Sequence, residues 1–390
     1  MRPANKVYSA LGTTIFTVMS ALATEHGAIN LGQGFPDDEG PDDVRAAAAK
    51  ALLDGPNQYP PMMGLPALRQ AVAAANKRFY GLDVDWQKEV MVTSGATEAL
   101  HDCLMALLNP GDEAIIFEPA YDSYRPVIEA AGAKVVAVPL EPPHWSLPLD
   151  RLEAAFSDRT KLVLVNTPMN PIGKVFTRDE LAAIAALMER HDAYAVCDEV
   201  YEHLVFSGHI HIPLMTLPGM RERCLRIGSA GKTFSLTGWK IGYVTGPAHL
   251  METVAKTHQF VTFTTAPGLQ SAVAYGLAKD DDYFASLASS LEAKRDILAK
   301  GLADAGFDVL PADGTYFISA DFRPLGFNGT DEEFCREITM KAKVAAIPLS
   351  AFYSSPDAPR HLARFCFCKQ DAILEEASAR LKAFARGGAA

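Results

Sequence analysis

Between residues 90 and 245 the apolar positions fall into a regular rhythm. Short, nearly continuous apolar runs cover Val90 to Thr93, Ala114 to Phe117, Lys134 to Val138, Leu162 to Val165, Tyr194 to Cys197, Cys224 to Ile227 and Ile241 to Thr245. Between them lie longer stretches with helical spacing, over Glu98 to Leu108, Tyr121 to Ala131, Asp150 to Phe156 and Asp179 to Glu189. Apolar runs without polar alternation suit strands buried on both faces. Strands alternating with helices predict a largely parallel sheet covered on both sides, an α/β fold. Upstream, Asp42 opens one helix (DDVRAAAAKALL), and Ala67 to Tyr80 forms another after Gly64 and Pro66. Residues before Asp42 show little periodicity.

Past about Asp280 the rhythm changes. A long helix covers Ala285 to Ala303, and short strands follow near Asp308 to Leu310 and Tyr316 to Ser319. Helix Asp331 to Ala342, the segment Ala345 to Pro348, strand Arg364 to Cys368 and helix Ala372 to Ala385 complete a smaller α+β unit. At 390 residues the chain exceeds one typical core. The expected division is a large domain over 46–284, with 1–45 and 285–390 forming an N-terminal segment plus a small domain.

In sheets of this kind, ligands sit beyond the carboxyl ends of the strands. Gly95-Ala96-Thr97, Tyr121, Asn170, Asp198 and Ser229 with Lys232 all follow strand ends. Singly, each has a plainer reading: Thr97 as a helix cap, Asn170 as a turn former, Asp198 as an anion at a helix start. Their convergence favours function. Lys232 lies in GSAGKTFSLTGWKIGY, Gly228 to Tyr243, among small residues. A lysine packed there loses water, its pKa falls, and its amine becomes a nucleophile at neutral pH. The GKT within it suggests a phosphate-binding P-loop, but that motif needs a glycine where Arg226 stands.

Composition narrows the alternatives. The net charge is −11 with no basic block, which argues against nucleic acid. Six cysteines in so long a chain make no disulfide framework. Cys366 and Cys368 alternate with Phe365 and Phe367, which reads as strand packing, and no His/Cys spacing suits zinc, so no metal is expected. Arg2 and Lys6 ahead of Leu11 to Ala23 imitate a signal peptide, but Thr13, Thr14, Thr17 and Ser20 interrupt the apolar part. A cytoplasmic protein is expected, and no run reaches the length of a membrane span.

The convergent residues share one ligand chemistry. Lys232 suits an imine. Ser229, Lys240 and the helix start at Gly95-Ala96-Thr97 suit a phosphate. Asp198 suits a protonated ring nitrogen, and Tyr121 a stacked ring. Pyridoxal phosphate satisfies all of these.

The chain resembles fold-type I pyridoxal-phosphate aminotransferases of the class I/II family over essentially its whole length. The stretches that carry the resemblance are NLGQGFPD, NQYPPMMGLPALR, TSGATEAL, EPAYDSY, NTPMNPIGKVF, CDEVYEHLVF, SAGKTFSLTGWKIGY, IPLSAFY and RFCFCK. GTTIFTVMSALA, and GWK where many relatives have GWR, make it most similar to the methionine and kynurenine aminotransferases. The resemblance implies a homodimer that moves an amino group between an amino acid and a 2-oxo acid. It implies that Lys232 carries the cofactor and shuttles a proton, that Asp198 holds the ring nitrogen protonated, and that Asn170 and Tyr201 meet the 3′ oxygen. Tyr121 is implied to stack on the ring, with Gly95, Ala96, Thr97, Ser229 and Lys240 on the phosphate. Tyr59 is implied to reach the phosphate bound by the partner subunit. Arg364 is implied to bind the substrate α-carboxylate with Asn170 and the Gly34 backbone, and Phe16 to line the side-chain pocket. The matched N-terminal and lysine-containing motifs hold no second arginine that would clearly read an acidic side chain, so large neutral amino acids are the expected donors. A β-lyase acting on cysteine S-conjugates with the same lysine and cofactor stays open as the alternative.

Overall fold

The computed structural model describes residue 2, residues 4–355 and residues 358–387. Its centre is a seven-stranded sheet in the order Val90–Ser94, Ile241–Thr245, Cys224–Ser229, Tyr194–Asp198, Thr160–Asn166, Glu113–Glu118, Lys134–Pro139. All neighbouring pairs are parallel except those made by Ile241–Thr245, which runs antiparallel to both its neighbours. That reversal places the start of Ile241–Thr245, and therefore Lys240, at the edge where the other strands end. Helices cover both faces, as strands without polar alternation require. On one face, Asp42–Asp54, Pro66–Tyr80 and Pro267–Leu277 pack through Val44, Leu68, Val72 and Val273 against Val90, Val92 and Ile241. On the other, a single buried cluster continues from the sheet into the C-terminal part of the chain.

A second, antiparallel sheet orders Ile347–Pro348, Leu362–Cys366, Phe317–Asp321 and Asp308–Val309. Helices Asp281–Asp304, Asp331–Lys341 and Asp371–Ala385 accompany it. Local signals set several boundaries. Thr177 with Glu180, and Thr330 with Glu333, close capping boxes at the starts of their helices. The N-terminal segment joins the small sheet region through Ile29–Asn30, parallel to Val344–Ala345.

The structure departs from the expected elements in four places. Ile15–His26 is a helix, capped by Thr14 accepting from Thr17 N. Its threonines and serine break the apolar stripe, and Met19 and Ala23 are the residues it buries. Ala248–Val261 and Pro267–Leu277 are helices in a stretch left unassigned. The expected helix from Tyr121 begins at Tyr124, because Tyr121 to Tyr124 form a turn closed by Tyr124 N donating to Tyr121 O at 3.2 Å. Tyr121 is thereby left on a loop. The strand expected over Arg364 to Cys368 is Leu362–Cys366, since its ladder partner Phe317 stands opposite Cys366 and ends the pairing there.

Candidate active site

The strand ends and the small sheet enclose a cavity of about 540 Å³. Gly95, Ala96, Thr97, Tyr121, Asn170, Asp198, Tyr201, Ser229, Lys232 and Lys240 line it from the large sheet. Phe16, Gly34 and Arg364 line it from the opposite side. Of the residues singled out in the sequence, Tyr59 alone lies elsewhere: it is 83% exposed, with its ring edge-on to Phe263 at 5.5 Å.

Lys232 sits on the single turn Ala230–Thr233 directly after a strand. Its Nζ donates to the Tyr316 hydroxyl at 2.7 Å, which donates to the Gly34 carbonyl at 2.7 Å. Loss of water around the amine pushes its pKa down, against the pull of Cys368 and Asp198. Asp198 ends its strand opposite Asn166. Burial raises its pKa, and the Tyr124 hydroxyl, donating to Oδ2 at 2.7 Å, works in the other direction. Asn166 braces both strand ends: Nδ2 donates to the Asp198 carbonyl at 2.8 Å, and Oδ1 accepts from Asn170 N at 2.9 Å.

Arg364 is 1% exposed. Its Nη1 donates to Asn170 Oδ1 at 3.1 Å and its Nη2 to the Gly32 carbonyl at 2.5 Å. The guanidinium lies over the rings of Phe317, Phe352 and Phe16 at 4.1, 5.0 and 5.3 Å. Burial lowers its pKa to about 10. Among the described residues no carboxylate forms a direct ion pair with it; Asp122, on the same wall, is the carboxylate whose charge bears on it.

The opposite end of the cavity is an anion cradle. Gly95 begins helix Gly95–Leu107 at φ +73°, and a Cβ there would meet Lys240 Nζ at 3.1 Å. At Gly242 a Cβ would meet the Gly95 carbonyl carbon at 2.5 Å and Ala96 N at 2.7 Å. Backbone N–H groups at a helix start, the Ser229 hydroxyl and the Lys240 ammonium, 3.4 Å from Thr97 Oγ1, make a phosphate-binding set. Arg226, which breaks the P-loop pattern, is buried in ion pairs with Glu199 and Glu202 and donates to Asn76 Oδ1 at 2.7 Å. It is committed to the core.

The profile of the family described as Aminotransferase class I and II matches residues 26–381. The chain belongs to the class I and II aminotransferases. It is similar to the solved N-succinyldiaminopimelate aminotransferase of Mycobacterium tuberculosis, at 46% identity and a TM-score of 0.95 over 97% of this chain and 99% of that one. It is 42% identical to a methionine aminotransferase of Escherichia coli over 95% of this chain and 96% of the relative. It is 40% identical to kynurenine–oxoglutarate transaminase 3 of Mus musculus over 97% and 90%. The fold is the fold-type I aminotransferase fold, and the enzyme uses pyridoxal 5′-phosphate.

The cavity of this aminotransferase suits that cofactor on its own chemistry. It offers a water-poor amine, a buried carboxylate and an anion cradle at separate points of one space. Tyr316, Tyr124, Asn166, Asp122 and Phe317 also belong to the site's wall or support, and the sequence reading did not single them out. Tyr124 and Asn166 lie inside quoted motifs, EPAYDSY and NTPMNPIGKVF. Tyr316 carries no such signal, because its partner Lys232 is 84 residues away.

Beside the phosphate cradle, helix Gly95–Leu107 turns Glu98 and Asp102 toward His258. His258 Nδ1 is 2.9 Å from Glu98 and 3.6 Å from Asp102, and Nε2 bonds the Met62 carbonyl at 3.1 Å. Burial opposes its charge, but the two carboxylates raise its pKa to about 9. It acts as a buried cation between the cradle and the segment that carries Tyr59.

Proposed function

We propose that the enzyme transfers the amino group of a large neutral L-amino acid, methionine-like or aromatic, to a 2-oxo acid. The observation that carries this reading is the charge on the cavity wall. Its cations are Lys232, Lys240 and Arg364. Cofactor attachment, the phosphate and the α-carboxylate occupy these three. Among the described lining residues a side-chain carboxylate finds no fourth cation, and Asp122 lies on the same wall. Phe16 and Phe317 offer apolar surface instead. Donors with further carboxylates, such as N-succinyldiaminopimelate, are disfavoured for the same reason. β-Elimination is not favoured, since the family's chemistry is amino transfer.

When bound, pyridoxal phosphate supplies an aldehyde for the amino group and a ring that accepts electron density from Cα. Lys232 attaches it and, with its pKa lowered, takes the proton from the substrate Cα. Tyr316 keeps that amine oriented. Asp198 holds a proton at the ring nitrogen, Tyr121 stacks on the ring, and Asn170 and Tyr201 meet its 3′ oxygen. Gly95, Ala96, Thr97, Ser229 and Lys240 hold the phosphate. Arg364 clamps the α-carboxylate through its planar fork, with Asn170 and Gly34 beside it, and Phe16 packs on the donor side chain.

The reading extends to a cytoplasmic homodimer with Tyr59 on the phosphate of the partner's site. Exposed Tyr59, Phe260 and Phe263 support an interface there, at 83%, 85% and 40% exposure. Residues 46–284 would form the large domain, and 1–45 with 285–390 the N-terminal segment and small domain. The test is steady-state kinetics with methionine, phenylalanine, kynurenine, aspartate, glutamate and N-succinyl-LL-2,6-diaminopimelate against several 2-oxo acids. The neutral donors are expected to give the highest kcat/KM. A preference for any donor with an acidic side chain overturns the pocket reading, and pyruvate with ammonia from S-conjugates as the main products would favour the lyase.

A further inference from the structure

Cys366 and Cys368 stand at the end of the strand that carries Arg364. Cys366 ends that strand and Cys368 lies two residues beyond it, and the two sulfurs are 3.1 Å from one another. That is well inside the roughly 4 Å of ordinary side-chain packing. Both thiols are free and buried. Burial opposes ionisation of Cys366, yet the Cys368 S–H, with Lys369 and Arg364 nearby, holds its pKa below the ordinary value. Burial and the neighbouring Cys366 push Cys368 up. Cys103 and Cys335, also buried, have thiols pushed up by burial. With the sulfurs in contact, the pair divides into a more acidic Cys366 and a less acidic Cys368, an attacking and a resolving thiol. Cys368 lies near enough to Lys232 for its charge to bear on that amine.

We propose that Cys366 and Cys368 form a redox site, oxidised by hydroperoxides to an intrachain disulfide that loosens the Arg364 anchor and lowers aminotransferase activity. The Cys366 sulfur attacks one oxygen of hydrogen peroxide, the O–O bond breaks, and a sulfenic acid forms as the other oxygen takes up the thiol proton and leaves as water (an organic hydroperoxide releases its alcohol instead). Cys368 sulfur then attacks the Cys366 sulfur, the S–O bond breaks, the S–S bond forms, and the second oxygen leaves as water. Two electrons pass from the sulfurs to the peroxide, and the two thiol protons end in the waters.

The link to activity is mechanical. Forming the bond draws the two sulfurs together from 3.1 Å to bonding distance. Closing it pulls on this strand end. The segment is tied to the site on several sides: Cys366 N donates to Leu31 O at 2.7 Å, and Phe367 N to Tyr316 O at 3.0 Å. Lys369 Nζ bonds Phe35 O at 3.1 Å and Asp37 Oδ1 at 2.8 Å. That pull reaches Arg364 and Tyr316, which holds Lys232.

The test treats the holoenzyme with hydrogen peroxide, alkylates remaining thiols after denaturation, and digests with trypsin. Cleavage after Arg364 and Lys369 releases Phe365 to Lys369, which holds both cysteines and no other. This peptide is expected unalkylated and about 2 Da lighter than the dithiol. In parallel, kcat/KM for methionine should fall about tenfold or more, as small misplacements of a positioning group do, and dithiothreitol should restore it. Cys366→Ser and Cys368→Ser should each resist peroxide. A doubly alkylated peptide, or sulfinic acid at Cys366 without the bond, overturns the site. A disulfide with unchanged kinetics overturns the link to Arg364. Should either variant misfold, the wild-type peptide mass and its reversal by dithiothreitol decide on their own, and they do not depend on which donor the enzyme prefers.

Discussion

Removing the Arg364 side chain is the sharpest test of the site. The guanidinium is 1% exposed, has no carboxylate partner among the described residues, and spends two of its donors on Asn170 Oδ1 and the Gly32 carbonyl. Its Nε has no hydrogen-bond partner among the described residues. Burial has already lowered its pKa to about 10, so the charge is held against a desolvation penalty that an arriving carboxylate would offset. Arg364→Ala leaves the substrate carboxylate facing Phe317 and Phe352 rather than a cation. Truncating one member of a buried charge pair costs about 2–5 kcal/mol. At about 1.4 kcal/mol per tenfold, kcat/KM should fall between about 30-fold and a few thousandfold. The loss should be similar for every donor, because the α-carboxylate is common to all. Arg364→Lys should recover part of it, keeping charge but losing the fork. The assay is initial-rate kinetics with methionine, phenylalanine and kynurenine, on protein whose cofactor absorbance and melting temperature are checked first. A kcat/KM within about twofold of wild type, on well-folded holoenzyme, would refute the clamp. A loss confined to one donor would show that Arg364 reads the side chain instead.

Asp198→Asn should bind the cofactor yet lose most turnover, because an amide cannot hold the ring nitrogen protonated; near-normal kcat would remove that role. Mixed after subunit exchange, Lys232→Ala and Tyr59→Ala chains should show more activity than the average of the parents, up to about a quarter of wild type, since half the dimers are mixed and each has one intact site. An active monomer by sedimentation would defeat the shared site. His258 has its folded pKa raised from 6.5 to about 9, so its stabilisation is full below about 6.5 and is lost as pH rises through about 9. Melting temperature should fall across that window in the wild type and less so in His258→Asn; parallel profiles would dismiss the buried cation.

The large sheet and its ligand edge were legible because they are written in local signals. Apolar runs mark each strand, and small or polar residues follow each end. Lys240 shows the limit of such reading: its place beside Gly95 depends on Ile241–Thr245 running against its neighbours, a matter of topology that no run of residues announces. Tyr316 was missed for a related reason, since its role arises from a contact across 84 residues. The helix Ile15–His26 was hidden by threonines that weaken its apolar stripe, although Phe16 within it was expected in the pocket and lines it. In Ala248–Val261 the spacing of Leu250, Met251, Val254, Ala255 and His258 is helical, so that signal was present in the sequence.

The carbonyls of Gly32, Gly34 and Phe35 accept from Arg364, Tyr316 and Lys369. Main-chain acceptors are indifferent to the side chains beside them. Gly34 itself is confined, since a Cβ there would meet Phe317 at 2.3 Å, but Gln33 lines the cavity without such a restriction on its identity. Substrate preference can therefore drift at Gln33 while the main-chain acceptors that hold Arg364, Tyr316 and Lys369 are inherited intact. Phe16 and Asp122 also line the cavity, but both bear on the Arg364 guanidinium, so directed evolution toward new donors has its natural starting point at Gln33.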